Sequence, residues 1–343
     1  MAIQWLRCGH HVYVVSTWRG SRVASIMLYH LLLQAVNTLQ SAGVSPGQPH
    51  LLLYHLYDGD EVKKAVNDLS QAAMGGSLYV IVDEVVGELS RSYRINNFQT
   101  LCKKLLKQVP RLHLWAGSCF HRHAPAGWQV EYLTRPLRSP PAVVREVEHV
   151  ERITRHRAVK LYSERGVPDH TDGPPVTRLY HRGQGHSGRR PGDCVTCGRE
   201  VASFLHSLRV GVTENSTTSS TTLTSTSGDT PPCLQWRDVL VLDWSDISDN
   251  WGMVTGLQEA GIPVRVMKDD DIEDVATARS DVVWVTDGRH VRGLERKVVV
   301  CLKYNDYDFV KSELLPRYIR VSPRLDLMSR CTSQLVIVCP LAA

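Results

Sequence analysis

The chain has 343 residues, 43% hydrophobic and 22% charged, with a net charge of +5 at pH 7 and a pI near 8.7. That length holds two domains, each with its own core, and the composition is that of a globular chain. The mild basic excess is compatible with nucleic acid but falls far short of a polycation, no apolar run is long enough to span a bilayer, and the start lacks a basic-then-apolar signal pattern.

In chain order, Val12–Ser16 is apolar and β-branched, and Ser21–Gln40 has helical spacing. Leu51–Tyr54 reads as a short strand, Asp60–Met74 as an amphipathic helix, Leu78–Val82 as a strand and Asn96–Gln108 as a helix. Leu112–Trp115 and Val130–Leu133 are further short strands. Continuous apolar strands separated by helices predict a parallel sheet covered on both faces. Pro141–Arg157 reads as a helix with a charged face, and Gly166–Gly192 is rich in Gly, Pro, His and Arg with no sustained period. A helix resumes at Arg199–Leu208. Residues 214–230 are almost pure Ser and Thr, which bury too little apolar surface to offset ordering entropy, so a disordered insert is expected there. Asp238–Leu242 is a strand, Asn250–Ala260 a helix and Gly261–Met267 a turn and strand. Asp269–Ala278 is a short helix, and Val282–Thr286, Lys297–Leu302 and Leu335–Val338 are strands. The pattern gives an α/β chain in two parts: 1–142, then a linker or insert over 143–196, then 197–343.

The cysteines number nine and are scattered, and Cys102, Cys301 and Cys339 fall in predicted strands or helices. That suits reduced thiols in an intracellular protein, cytoplasmic or nuclear, rather than a disulfide framework. Cys194-Val-Thr-Cys197 has metal-knuckle spacing, with His181 and His186 upstream. Two thiolates and two imidazoles complete a tetrahedral Zn2+ site. The competing reading is structural: Cys197-Gly198 precedes a helix, and the His spacing is not that of a standard finger. His121 and His123 alternate in a loop and read as solvent-facing. Gly183-x-Gly185-x-x-Gly188 mimics a dinucleotide fingerprint but fails on context, because Pro191-Gly192 follows where a helix should begin.

The segment 285–300 reads as a strand, a polar loop and a second strand, and the loop carries Arg292-Gly293-Leu294-Glu295. Gly293 permits a turn or a close approach, Arg292 offers a donor fork, and Glu295 can accept hydroxyl hydrogen bonds. Leu78–Val82 ends in Asp83-Glu84, Arg138-Ser139 follows, and Arg330 precedes the apolar strand near the C-terminus. These four segments, in this order, resemble motifs II, IV, V and VI of the superfamily 1 helicases, the UvrD/Rep-like P-loop NTPases, with Arg292 where the family's motif V has Lys. The resemblance spans most of the chain outside roughly 150–195 and 211–235.

It implies two RecA-like lobes with parallel sheets flanked by helices, joined by the irregular insert, and ATP bound between them. By resemblance Asp83 holds Mg2+ through water, Glu84 polarises the attacking water, and Arg138 and Arg330 reach the γ-phosphate. Arg292, Gly293 and Glu295 then belong to nucleotide binding, with Glu295 on the ribose hydroxyl, and single-stranded nucleic acid is the implied partner. Each residue also has a plainer reading: an acidic pair ending a strand, solvated arginines, a loop carboxylate. Two departures stand out. No Gly-Lys dipeptide occurs, so the phosphate-cradling loop of the family is missing and ATP hydrolysis is expected to be very weak. Leu114–Ser118 stands at motif III without that motif's Asp or Gln. Val15-Ser-Thr17 matches the position of motif Ia, where hydroxyls contact the nucleic-acid backbone, and reads equally as a helix cap. The alternative to a motor is a non-enzymatic nucleic-acid or protein interaction module derived from one, with the Arg/His-rich stretch 152–190 supplying phosphate contacts.

Overall fold

The apolar, β-branched runs become strands. In this computed structural model the described residues are 1–73, 76–85, 93–117, 127–131, 138–148, 172–214, 234–245, 247–302, 327–328 and 330–340. They form an α/β architecture of two sheets, parallel throughout and flanked by helices.

The first sheet has β1 (Val12–Ser16), β2 (Pro49–Leu53), β3 (Ser77–Val82) and β4 (Arg111–Ala116), in the order β2-β1-β3-β4. Val12 lies beside Pro49 on one side and Tyr79 on the other. Helices α1 (Ala2–Arg7) and α2 (Arg22–Ser41) pack against Val12 and Val14 on one face. Helices α3 (Gly59–Ala72) and α4 (Tyr93–Gln108) pack against Val15, Leu78 and Val82 on the other. The α3 helix shows the local logic. The Asp58 side chain accepts from the Asp60 amide at 2.9 Å, Asp60 and Glu61 sit in the first turn, and Val62, Ala65, Val66 and Leu69 form one buried stripe. The crossovers from β1 and β3 leave in opposite directions, so their C-terminal ends border the crevice where open α/β sheets bind ligands. Ser16 and Asp83 stand there.

The second sheet runs β5 (Thr177–Tyr180), β10 (Cys331–Cys339), β9 (Arg296–Leu302), β6 (Val239–Asp243), β8 (Val283–Asp287) and β7 (Val264–Val266). Every residue of β6 and β8 is buried, as expected of central parallel strands covered on both faces. Helices α6 (Val195–Glu214) and α7 (Gly252–Glu259) cover one face; α5 (Pro141–Glu148) and α8 (Ile272–Thr277) pack on the other. The β8–β9 crossover, residues 288–295, contains a single 3-10 turn and is held to the sheet by buried Val291 and Leu294.

Some elements depart from the sequence reading. β5 forms in a stretch without sustained apolar period, because its ladder to β10 supplies the order that its own burial does not. α6 begins at Val195 rather than Arg199. Residues 129–131 are described and are not in a strand. The expected helix beyond residue 148, His121, His123, the basic stretch over 152–171 and nearly all of the Ser/Thr-rich insert lie outside the described residues. Among the described residues, no helix is long and apolar enough to cross a membrane.

Candidate metal centre and the seam between the sheets

Four side chains from three segments meet beside β5. His181 directly follows that strand, His186 sits in the glycine-bearing loop after it, Cys194 closes a 3-10 turn, and Cys197 lies in the first turn of α6. Their ligand atoms all fall within 4.8 Å of one another. His181 Nδ1 is 3.3 Å from Cys197 Sγ, and His186 Nδ1 is 3.5 Å from Cys194 Sγ and 3.4 Å from Cys197 Sγ. A tetrahedral zinc with Zn–S near ~2.3 Å and Zn–N near ~2.05 Å needs donor-to-donor edges of ~3.4–3.8 Å. Three of the six edges, at 3.3, 3.4 and 3.5 Å, lie close to those dimensions, and the others are within 4.8 Å.

The outer contacts fit as well. His181 Nε2 is 3.2 Å from the Gly188 carbonyl, and His186 Nε2 is 3.3 Å from Glu200. Each imidazole thus has an acceptor on its far nitrogen, the arrangement that fixes a metal-binding tautomer. The Cys197 amide points at Cys194 Sγ at 3.5 Å. Both cysteines are fully buried, and burial together with the neighbouring Cys194 sulfur pushes the Cys197 thiol well up. A dication reverses that local preference and deprotonates its thiols.

The discarded glycine fingerprint turns out to build this site. Gly183, Gly185 and Gly188 all have positive φ, and the turns they permit bring His186 back onto the helix start. Glu200 was missed by sequence reasoning. The signal was available: Cys197 and Glu200 are three residues apart and share one face of the helix.

The second constellation is the seam where the two sheets meet. Asp83 and Glu84 follow β3, and the Asp83 carboxylate accepts from the Glu84 amide at 3.0 Å. A Cβ on Gly293 would lie 3.6 Å from Glu84 Cγ, 3.9 Å from Asp83 Oδ2 and 2.8 Å from Ala24 Cβ, and Gly293 has φ +73. Only glycine satisfies both that conformation and that approach without strain. Glu84 is itself left-handed, with φ 51, a conformation that costs about 1–3 kcal/mol in a non-glycine residue. Its carbonyl accepts from the Trp18 indole at 2.6 Å, and Arg292 stacks over the Trp18 ring at 5.4 Å. Sequence reasoning gave no signal for Trp18.

Glu295 pairs with Arg138 at 2.9 Å. Burial pushes the Glu295 carboxyl up, and Arg138 and Arg330 pull it down. Arg330 is buried and donates to the carbonyls of Val291 and Gly288, so it braces the 288–295 crossover from within. The structure therefore brings Asp83, Glu84, Arg292, Gly293, Glu295, Arg138 and Arg330 to one region; Glu295 and Arg138 engage each other, and Arg330 grips backbone. Ser16 and Thr17 are turned inward: the Ser16 hydroxyl meets Ser21 Oγ at 2.8 Å and Thr17 Oγ1 donates to the Val85 carbonyl at 3.0 Å. Ser21 Oγ in turn accepts from the Thr17 amide at 3.2 Å. These bonds fasten the end of β1 to Ser21 at the start of α2 and to the segment after β3.

Comparison with protein-family models and with curated proteins finds no match to this chain.

Proposed function

We propose that the chain carries one structural Zn2+ on His181, His186, Cys194 and Cys197. The convergence of four donors, three buried and His186 half-buried, with each imidazole backed by an acceptor, carries this reading. Four protein ligands leave no open position for substrate, which is the mark of a structural rather than a catalytic zinc. The ion would tie β5 and its following loop to α6, and so secure the edge of the second sheet. The test is metal content of purified protein by mass spectrometry. About one zinc per chain is expected, falling to background in Cys197→Ser, and chelation is expected to lower Tm. Zinc-free protein that gains no stability on zinc addition would contradict the assignment.

Around that centre we read the chain as a helicase-like module of two RecA-like lobes that binds rather than turns over nucleotide. The Glu295–Arg138 pair and the Arg330 bonds to backbone carbonyls support binding over hydrolysis, since they engage the groups that phosphoryl transfer would recruit. A motor reading is favoured by one observation: Asp83 and Glu84 lie against the Gly293 loop, and such a carboxylate pair is the kind that would hold Mg2+ and water. An ATPase assay with Mg2+ and single-stranded nucleic acid separates the two. Turnover indistinguishable from the Glu84→Gln variant is expected; robust turnover abolished by that substitution would establish the motor.

A further inference from the structure

Beside the seam lies an open hollow of about 450 Å3, lined among the described residues by Arg138, Arg237, Arg296, Lys297, Asp238 and Glu295. That volume is within the usual small-molecule range of ~300–1,000 Å3. Its cations outnumber its carboxylates by two. Both carboxylates are engaged, Asp238 with Lys297 at 2.8 Å and Glu295 with Arg138 at 2.9 Å. The hydrogen bonds of the other two cations go to neutral oxygens. Arg237 donates to Gln235 Oε1 at 2.6 Å and to the Ala278 carbonyl at 3.4 Å. Arg296 donates to the Glu295 carbonyl at 2.9 Å and the Val275 carbonyl at 2.5 Å, and no described residue accepts from its Nε.

The Arg296 guanidinium is hydrogen-bonded by carbonyls alone, and the nearby Asp238 carboxylate is already hydrogen-bonded to Lys297. Burial pulls the Arg296 guanidinium down from its ordinary value, and the charge of Asp238 opposes the shift only in part. An anion in the hollow would offset that cost, and planar forks favour the tetrahedral oxygens of phosphate. Met27 adds an apolar wall from α2.

We propose that this hollow binds a phosphate-bearing small molecule, of pyrophosphate to nucleoside-diphosphate size, through Arg237, Arg296 and Lys297. The hollow shares Arg138 and Glu295 with the nucleotide reading above, but the proposal is carried by Arg237, Arg296 and Lys297, to which that reading assigns no part.

The experiment is isothermal titration of the full chain with pyrophosphate and, separately, ADP, in magnesium-free buffer. Both ligands are expected to bind, and the Arg237→Gln/Lys297→Gln double variant is expected to weaken each by about tenfold or more. Lys63→Gln, at an exposed position on α3 that does not line the hollow, is expected to leave binding unchanged. Equal affinities for the two ligands identify the phosphates as the recognised group; tighter ADP adds a nucleoside contact over Met27. Zinc content and circular dichroism of the double variant verify that it is folded. No binding by the parent chain, binding unaltered in the folded double variant, or binding weakened as much by Lys63→Gln overturns the proposal.

Discussion

At the residue scale, Asp83 is the carboxylate whose position is least explained by stability. Burial raises its carboxyl above the ordinary value, with the Glu84 amide opposing the shift. A carboxyl raised by folding binds more protons in the folded state than in the unfolded one, so its contribution is present below the unfolded value and is lost as pH rises through the folded one. At neutral pH the ionised group therefore weighs against folding. Asp83→Asn removes the charge and keeps an acceptor for the Glu84 amide. The variant should gain Tm over the parent near pH ~7, and the gain should shrink toward pH ~4, where the parent carboxyl is increasingly protonated. A gain that is equal at both pH values, or larger in acid, would show that burial is not what the site is straining against. A residue kept at such a cost is a functional candidate on physical grounds.

At the element scale, legibility followed burial. Strands such as β6 and β8 are buried throughout, so their runs of Val, Leu and Trp announced them. α3 was equally plain, because a stripe of apolar residues and an acidic first turn are local signals. β5 was not legible. Its residues Thr177–Tyr180 alternate between exposed and half-buried, and the ladder to a strand far along the chain is what orders them. The candidate metal cluster was half legible. Cys194 and Cys197 stand at knuckle spacing, but His181 and His186 reach them only through turns that the three loop glycines permit. A fingerprint judged by the absence of a following helix concealed a loop whose purpose is to fold back. At the seam, Ser16 and Thr17 show the converse: side chains that look like backbone-phosphate contacts are absorbed in internal hydrogen bonds to Ser21 and Val85.

At the scale of the whole molecule, α2 decides whether the two sheets behave as one body. Leu32 and Val36 near its C-terminal end pack on the first sheet. Val23 and Ile26 in its first turns pack into the core of the second, with Ile272, Val275 and Leu294. The Gly293 loop closes over that junction against Ala24, Asp83 and Glu84. A side chain at 293 must meet Ala24 from a left-handed backbone, so Gly293→Val combines strain of about 1–3 kcal/mol with a clash at the seam. Gly293→Asn retains tolerance for the left-handed conformation, so its effect isolates the clash. Hydrogen exchange should quicken over 18–26 and 288–295 in both variants, more in Val than in Asn, with α6 at the metal cluster unaffected. Unchanged exchange over 18–26 in Gly293→Val would mean that the sheets hold together without this loop. Faster exchange throughout α6 as well would mean that the whole fold, rather than its seam, had been weakened.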